Sequence, residues 1–343
     1  TYLLPEQITR LIRSIRKHFK ISNSAEMSCE IDPRELKREH LVALREGGFN
    51  RISMGVQDFN ETVQNAVNRL QPEALTRQVA QWVRELNYHS LNLDLIYGLP
   101  FQTVESFCHT IESIIDIAPD RIALFNYAHV PWMKKHMSLI QEKDLPAPEE
   151  KLEIFKMSIE KLTSAGYVFI GMDHFARPDN ELAIALTEKK LGRNFQGYTT
   201  HAGLDLYGLG ITSISQLSRV YAQNVKTEKE YYQILDQQLL PTIKGYTLTN
   251  DDLLRREVIM RLMCHFELDF ASIENHYEID FEKYFADPLS SLESMVQDEL
   301  LQIKNRFIKV TEKGRLLIRN IAMNFDAYLE KKSDQKSVYS KTV

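Results

Sequence analysis

The feature that most constrains this chain is an alternation running through its first two-thirds. A short, nearly continuous apolar run is followed by a turn, then by an amphipathic helical stretch, then by the next apolar run. The runs are EMSCEI (26–31), NRISMGV (50–56), LNLDLIY (91–97), RIALFN (121–126) and YVFIGM (167–172). Each is separated from the next by enough chain for a crossover. The pattern therefore predicts five strands in one parallel sheet, in sequential order, covered by helices. Helices are predicted over 5–20, where Ile8, Leu11, Ile12, Ile15 and Phe19 recur at i, i+3, i+4 spacing, and over 34–46, 60–68, 72–86, 103–117 and 149–165. Asp32 reads as the N-cap of the second helix, with Pro33 in its first position and Glu35 completing a capping-box-like pair; Gly47-Gly48 ends it, and Thr103 reads as a later cap.

Beyond residue 225 the rhythm is lost. Helices near 228–239, 249–265 and 280–297 follow without intervening strands, then LLQIKNRFIKVT (300–311) reads as a hairpin turning at Asn305, followed by a helix near 312–330. Two domains are expected: a β/α domain over 1–224 and a mostly helical domain over 225–343 carrying a winged-helix-like hairpin. The polar tail 331–343 is expected to fray. The repeat opens on a helix where a strand is expected, so the chain reads as cut just inside a β/α unit, with an exposed edge near 26–31.

Charge narrows the function. Lys+Arg 42 against Asp+Glu 47 leaves a net of −5, and residues from 225 onward hold 17 Lys+Arg and 20 Asp+Glu. That balance excludes a general nucleic-acid binder, and the basic patch Lys304, Arg306, Lys309 on the hairpin is small. No apolar run approaches the roughly 20 residues of a membrane helix. The amphipathic N-terminus carries Glu6 and is no secretory signal. Cys29, Cys108 and Cys264 lie 79 and 156 residues apart, too far for CxxC-type spacing, so no metal site and no disulfide framework is expected, and the cytoplasm is the expected location.

Parallel β/α folds build their sites at the C-terminal ends of the strands, and here those ends are polar. The first ends at Glu30, the second at Gln57-Asp58, the third carries Asp94 and ends at Tyr97, the fourth runs into Asn126-Tyr127-Ala128-His129 and the fifth into Met172-Asp173-His174. A carboxylate at Glu30 needs a partner there. Asp94 fits a ligand contact or a buried ion pair, and Asp173-His174 an acid–base pair or a hydrogen-bonded loop. Arg69, at a helix end, fits a solvated cation. The stretch Gln196-Gly197 to Gly210 is rich in glycine but matches neither a dinucleotide nor a phosphate-loop motif; no HExxH or GxSxG occurs.

Taken together, EIDPRE (30–35), NRISMGVQDF (50–59), VNR (67–69), NLDLIYGLP (92–100), FNYAHVP (125–131), GMDHFARPDNELA (171–183), RNFQGYTT (193–200) and VTEKGRLLIRN (310–320) resemble the oxygen-independent coproporphyrinogen III oxidases, radical S-adenosylmethionine enzymes of haem biosynthesis. Two of these motifs also fit the related haem-chaperone branch, and a haem- or tetrapyrrole-binding protein without radical catalysis is the alternative; GMDHFARP and NFQGYTT favour the oxidase. The resemblance implies an incomplete parallel (β/α) radical-SAM barrel, here lacking its first strand, with a helical C-terminal domain. It implies a [4Fe-4S] cluster on a CxxxCxxC loop that cleaves S-adenosylmethionine to a 5′-deoxyadenosyl radical, which takes a hydrogen from a propionate of coproporphyrinogen III. Two S-adenosylmethionine molecules are implied: Glu30 and the backbone at Ala128 and Ile214 for the first, and Gln57, Arg69 and Asp94 for the second. An electron acceptor of unknown identity and a monomeric full-length enzyme complete the expectation. The cluster loop and a GGGTP motif would precede Thr1, so the chain is expected to be an inactive fragment of a longer product.

Overall fold

The computed structural model describes residues 2–329; Thr1 and the polar tail 331–343, expected to fray, lie outside the described residues. They divide into two compact units, one running to Asn180 and the other starting at Glu181. The division falls earlier than the change of texture near 225, because residues 191–198 belong with the C-terminal half. Tyr198 donates its hydroxyl hydrogen to Met263 O at 3.0 Å, and His265 Nε2 meets Leu191 O at 3.1 Å.

In the first unit, helix α1 (Pro5–His18) precedes β1 (Ser28–Ile31), α2 (Arg38–Glu46), β2 (Arg51–Gln57), α3 (Glu61–Ala66), α4 (Glu73–Glu85), β3 (Ser90–Tyr97), α5 (Val104–Ile117), β4 (Arg121–Asn126), α6 (Pro148–Ser164), β5 (Val168–Gly171) and β6 (His174–Ala176). The sheet order is β1-β2-β3-β4-β6-β5. The first four strands are parallel and sequential, as expected. The fifth departs from expectation: β5 does not pair with β4. The chain reverses through Gly171 (φ 146) and Met172 (φ 50), and β6 enters antiparallel between them. The core is the apolar row alternating with the site-facing one: Leu91, Leu93, Leu95 and Tyr97 of β3 are buried, as are Phe107, Ile111 and Ile114 of α5.

Thr103 caps α5, its side-chain oxygen accepting from Ser106 N. Asp32 caps nothing. Helix α2 begins at Arg38 rather than 34, and Asp32 instead accepts from Arg34 N and from the Arg34 guanidinium in a two-pronged pair. A charge-assisted guanidinium bond outweighs a neutral backbone N–H.

The second unit contains α7 (Glu181–Thr187), the hairpin β7 (Gly192–Asn194) and β8 (Gly197–Thr199), the sheet formed by β9 (Ile214–Leu217), β10 (Val220–Asn224) and β11 (Thr242–Thr247) with α8 (Glu228–Asp236) between, and then α9 (Asn250–His265). After α9 come β12 (Glu267–Asp269), α10 (Phe270–Tyr277), three short helical turns over 281–297, and the hairpin β13 (Leu301–Lys304) and β14 (Phe307–Val310), all in a sheet ordered β12-β14-β13. The hairpin turns at Asn305 (φ 52) and Arg306 (φ 60), the two-residue turn with both central residues left-handed. The stretch expected as one helix over 280–297 is broken after Tyr284 and Ser291, and α10 and β7 to β12 were not anticipated.

One buried network ties the loop after β3 to the end of β2. Gln102 Nε2 donates to Asp58 Oδ2 at 2.6 Å and to Ile96 O at 2.8 Å, while its Oε1 accepts from Gly98 N at 2.6 Å and Leu99 N at 3.1 Å. Thr110 donates to Asp58 Oδ1 at 2.7 Å. Replacing Gln102 by Leu strands two backbone N–H groups and one oxygen of a buried carboxylate. Urea denaturation should show a loss of roughly 3–5 kcal/mol, whereas a loss under about 1 kcal/mol would mean that water or a rearranged loop satisfies them.

Candidate functional site

Along β3, Asn92, Asp94 and Ile96 alternate with the buried leucines and face the opposite side of the sheet. The parallel register brings other polar residues level with them. Glu30, Ser53 and Asn92 are successive partners across β1, β2 and β3; one step along, Gly55, Asp94, Ala123 and His174 are successive partners across β2, β3, β4 and β6. Asp94 Oδ1 accepts from Asn92 Nδ2 at 2.7 Å, and its Oδ2 accepts from the Ser53 hydroxyl at 3.3 Å. Burial, reinforced by the nearby Glu30 charge and opposed by the Asn92 hydrogen bond, pushes Asp94 up to about 6.

Gly55 is where the site closes up. A Cβ there would lie 2.6 Å from Gln57 Nε2 and 3.2 Å from Arg69 Nη2. Lacking one, it lets the Gln57 amide and the Arg69 guanidinium cross β2 beside Asp94. Arg69 Nη2 donates to Gly55 O at 3.0 Å and Nη1 lies 3.5 Å from Asp32 Oδ2. Asp32 is held down at about 2, mainly by the Arg34 hydrogen bonds, and burial pulls Arg69 below the usual guanidinium range. Gln57 holds a left-handed backbone (φ 70) at the end of β2, a conformation that costs a non-glycine residue about 1 kcal/mol or more and that gathers at ligand sites.

Three buried polar atoms at these strand ends have no hydrogen-bond partner: Gln57 Oε1, Arg69 Nε and Asn126 Oδ1. Buried polar groups are normally satisfied, so these three atoms are free to bond a polar ligand. S-adenosylmethionine, with a carboxylate, an ammonium and ribose hydroxyls, fits that donor and acceptor set.

Of the expected site residues, Glu30, Gln57, Arg69 and Asp94 come together around Gly55. Ala128 lies just past β4, where Tyr127 N donates to Tyr97 O at 2.8 Å and holds the segment at the same strand ends. Ile214 opens β9 in the second unit, and Gly208 packs against it so closely that a Cβ would sit 2.8 Å from Ile214 O. Asn126 appears in the sequence only as part of a polar strand end, and Ser53 and Asn92 were not singled out, although the alternation along β2 and β3 places both on Asp94's face. Asp173 and His174 do pair, Nδ1 to Oδ1 at 2.9 Å, with the imidazole edge-on to Phe125. In the hairpin patch Arg306 is engaged by Glu274 and Glu282.

The described residues do not fit an iron–sulfur cluster: no three of their His, Cys, Asp or Glu side chains come together in a way that could hold a metal ion. Cys29 is on β1, Cys108 on α5, and Cys264, pushed up to about 12 by burial, on α9. No helix among the described residues is long and apolar enough to cross a membrane.

Asp94 gives a pH signature. Its folded pKa of about 6 lies above the ordinary carboxylate value near 3.8, so its burial costs almost nothing below about pH 4 and the full penalty above pH 6. Asp94→Asn should therefore stabilise the chain at pH 8, by up to about 3 kcal/mol, and make little difference at pH 4. Denaturant titrations at both pH values check this; an equal effect at both would mean that Asp94 is not held in its protonated-favouring environment.

Known proteins extend the comparison. Residues 2–114 match the Radical SAM superfamily and residues 248–317 the HemN C-terminal domain. The chain is 50% identical over 339 residues to an oxygen-independent coproporphyrinogen III oxidase of Synechocystis sp., covering 98% of this chain and 73% of that relative. It is 49% identical over 333 residues to the Escherichia coli protein of the same name, covering 97% and 73%. A solved structure of the E. coli enzyme, described as a radical SAM enzyme, superposes with a TM-score of 0.93 at 49% identity, over 95% of this chain and 75% of that one. With polar strand ends, two matching family models and half-identity across nearly its whole length, the chain belongs to the oxygen-independent coproporphyrinogen III oxidase family of radical SAM proteins.

Proposed function

We propose that this chain carries the S-adenosylmethionine- and substrate-holding part of an oxygen-independent coproporphyrinogen III oxidase, which converts coproporphyrinogen III to protoporphyrinogen IX. For each of two propionates, a hydrogen atom leaves the β-carbon; carbon dioxide and one electron then depart and a vinyl group remains. When bound, S-adenosylmethionine and a [4Fe-4S] cluster supply the hydrogen-abstracting chemistry of the family, and no cluster ligand is assigned to the described residues. The observation that carries the reading is the set of unsatisfied buried atoms, Gln57 Oε1, Arg69 Nε and Asn126 Oδ1, gathered at the strand ends that also present Asp94.

In this reading two S-adenosylmethionine molecules are held. Gln57, Arg69 and Asp94 grip one, with the guanidinium forking to its carboxylate and Asp94 accepting from its ammonium or ribose hydroxyls. Glu30 and the backbone at Ala128, both in the first unit, grip the other. An external electron acceptor, a monomeric intact enzyme and a cytoplasmic location complete the proposal.

Arg69→Ala and Asp94→Ala should each weaken S-adenosylmethionine binding by about 10- to 150-fold, the equivalent of losing one charge-assisted hydrogen bond of roughly 1.5–3 kcal/mol. Calorimetric titration measures the affinity, and a melting curve of the same sample separates lost contact from lost fold. In the cluster-loaded enzyme the same variants should lose protoporphyrinogen formation while retaining the cluster's absorbance. Wild-type affinity in both variants would remove Arg69 and Asp94 from the cofactor site.

A further inference from the structure

A tetrapyrrole with four propionates brings four carboxylates to a rim whose own charges are largely acidic. Glu30 and Asp94 are there, and Arg69 already donates to Asp32 and to Gly55 O. Lys151 is a different kind of cation. It lies near the start of α6, one turn before Phe155, whose ring stacks on Tyr97 with centroids 5.2 Å apart. Its stem runs over Gly98, the residue immediately after β3: a Cβ on Gly98 would lie 2.8 Å from Lys151 Cε and 3.3 Å from Nζ. Gly98 also has φ 84, so a side chain is unfavourable there on two counts. The Lys151 ammonium is half-buried, and burial pushes its pKa down with no neighbouring charge to offset it. Among the described residues no hydrogen bond or ion pair reaches Nζ. A partly buried charge without a partner works against the fold, and a ligand carboxylate would remove the penalty. Exposed apolar side chains occur in the two neighbouring connections. Phe101 follows the Gly98-Leu99-Pro100 turn, Trp132 and Met133 lie in the connection from β4 to α6, and Phe101 N donates to Asp144 O across the two connections. A flat macrocycle with charged arms needs this combination.

We propose that Lys151 is a substrate-positioning residue, its ammonium receiving one propionate carboxylate of the tetrapyrrole at the rim of β3. The inference rests on reading the chain as a coproporphyrinogen III oxidase. The test titrates coproporphyrin III, its tetramethyl ester and S-adenosylmethionine separately into the chain and its Lys151→Met and Lys151→Arg variants, following fluorescence or heat. The Met variant should bind coproporphyrin about tenfold more weakly or worse, the Arg variant within about threefold of wild type, and the ester equally to all three. S-adenosylmethionine affinity should not change, and the Met variant should melt at or above the wild-type temperature because an unpaired charge is gone. Coproporphyrin binding unaffected by Met, a loss that falls on S-adenosylmethionine instead, or a lower melting temperature would each overturn the role of Lys151 and leave the proposed function standing. A wild-type chain that binds no coproporphyrin would overturn both.

Discussion

In a parallel sheet, all strands point their C-terminal ends to one edge, and the register between them decides which side chains share a level. Here that register is the constraint on which the site depends. It sets Gly55 beside Asp94 and Asp94 beside Ala123. Two small residues thus flank the one buried carboxylate of the row. Space on one side admits Gln57 and Arg69; on the other, Ala123 separates Asp94 from His174. A shift of a single residue in β2 would put Met54 opposite Asp94 and turn the polar face into the core.

The site is costly to the fold, and the surroundings offset the cost. A left-handed Gln57, a carboxylate pushed to about 6 and a guanidinium half-withdrawn from water all oppose folding. Close by, the Asp58–Gln102–Thr110 network is completely buried and closes off the loop between β3 and α5 with short hydrogen bonds. Rigid support beneath under-satisfied polar groups is how a binding site is kept ready for its ligand. The positions that the resemblance to the oxidases implies thus coincide with buried polar atoms that the fold itself leaves unsatisfied.

The second unit shows what an acidic winged-helix-like module can be. Its sheet β12-β14-β13 and the helices around it follow that pattern, but the turn arginine is taken up by Glu274 and Glu282. The fold therefore says little about nucleic acid here; the arginine at its hairpin turn is paired within the module.

The sequence by itself determined the elements whose signals are local. β4 spans the 121–126 run, Thr103 caps α5, and the hairpin turns at Asn305 because these depend on neighbours within a few residues. It also gave the polar identity of the strand ends, and through motif resemblance the positions Glu30, Gln57, Arg69 and Asp94. Tertiary structure alone decided the rest. Asp32 lost its capping role to two guanidiniums, one of them 37 positions away in Arg69. β6, three residues long, exists only because β4 and β5 pair with it, and β11 is exposed along its whole length, so neither carries a periodicity to read. That Gly55 must be glycine, that Asn126 lacks a partner and that the Lys151 stem covers Gly98 are facts of distance between segments far apart in the chain. Local propensity fixes which pieces form; only packing fixes which buried polar groups are left without a partner.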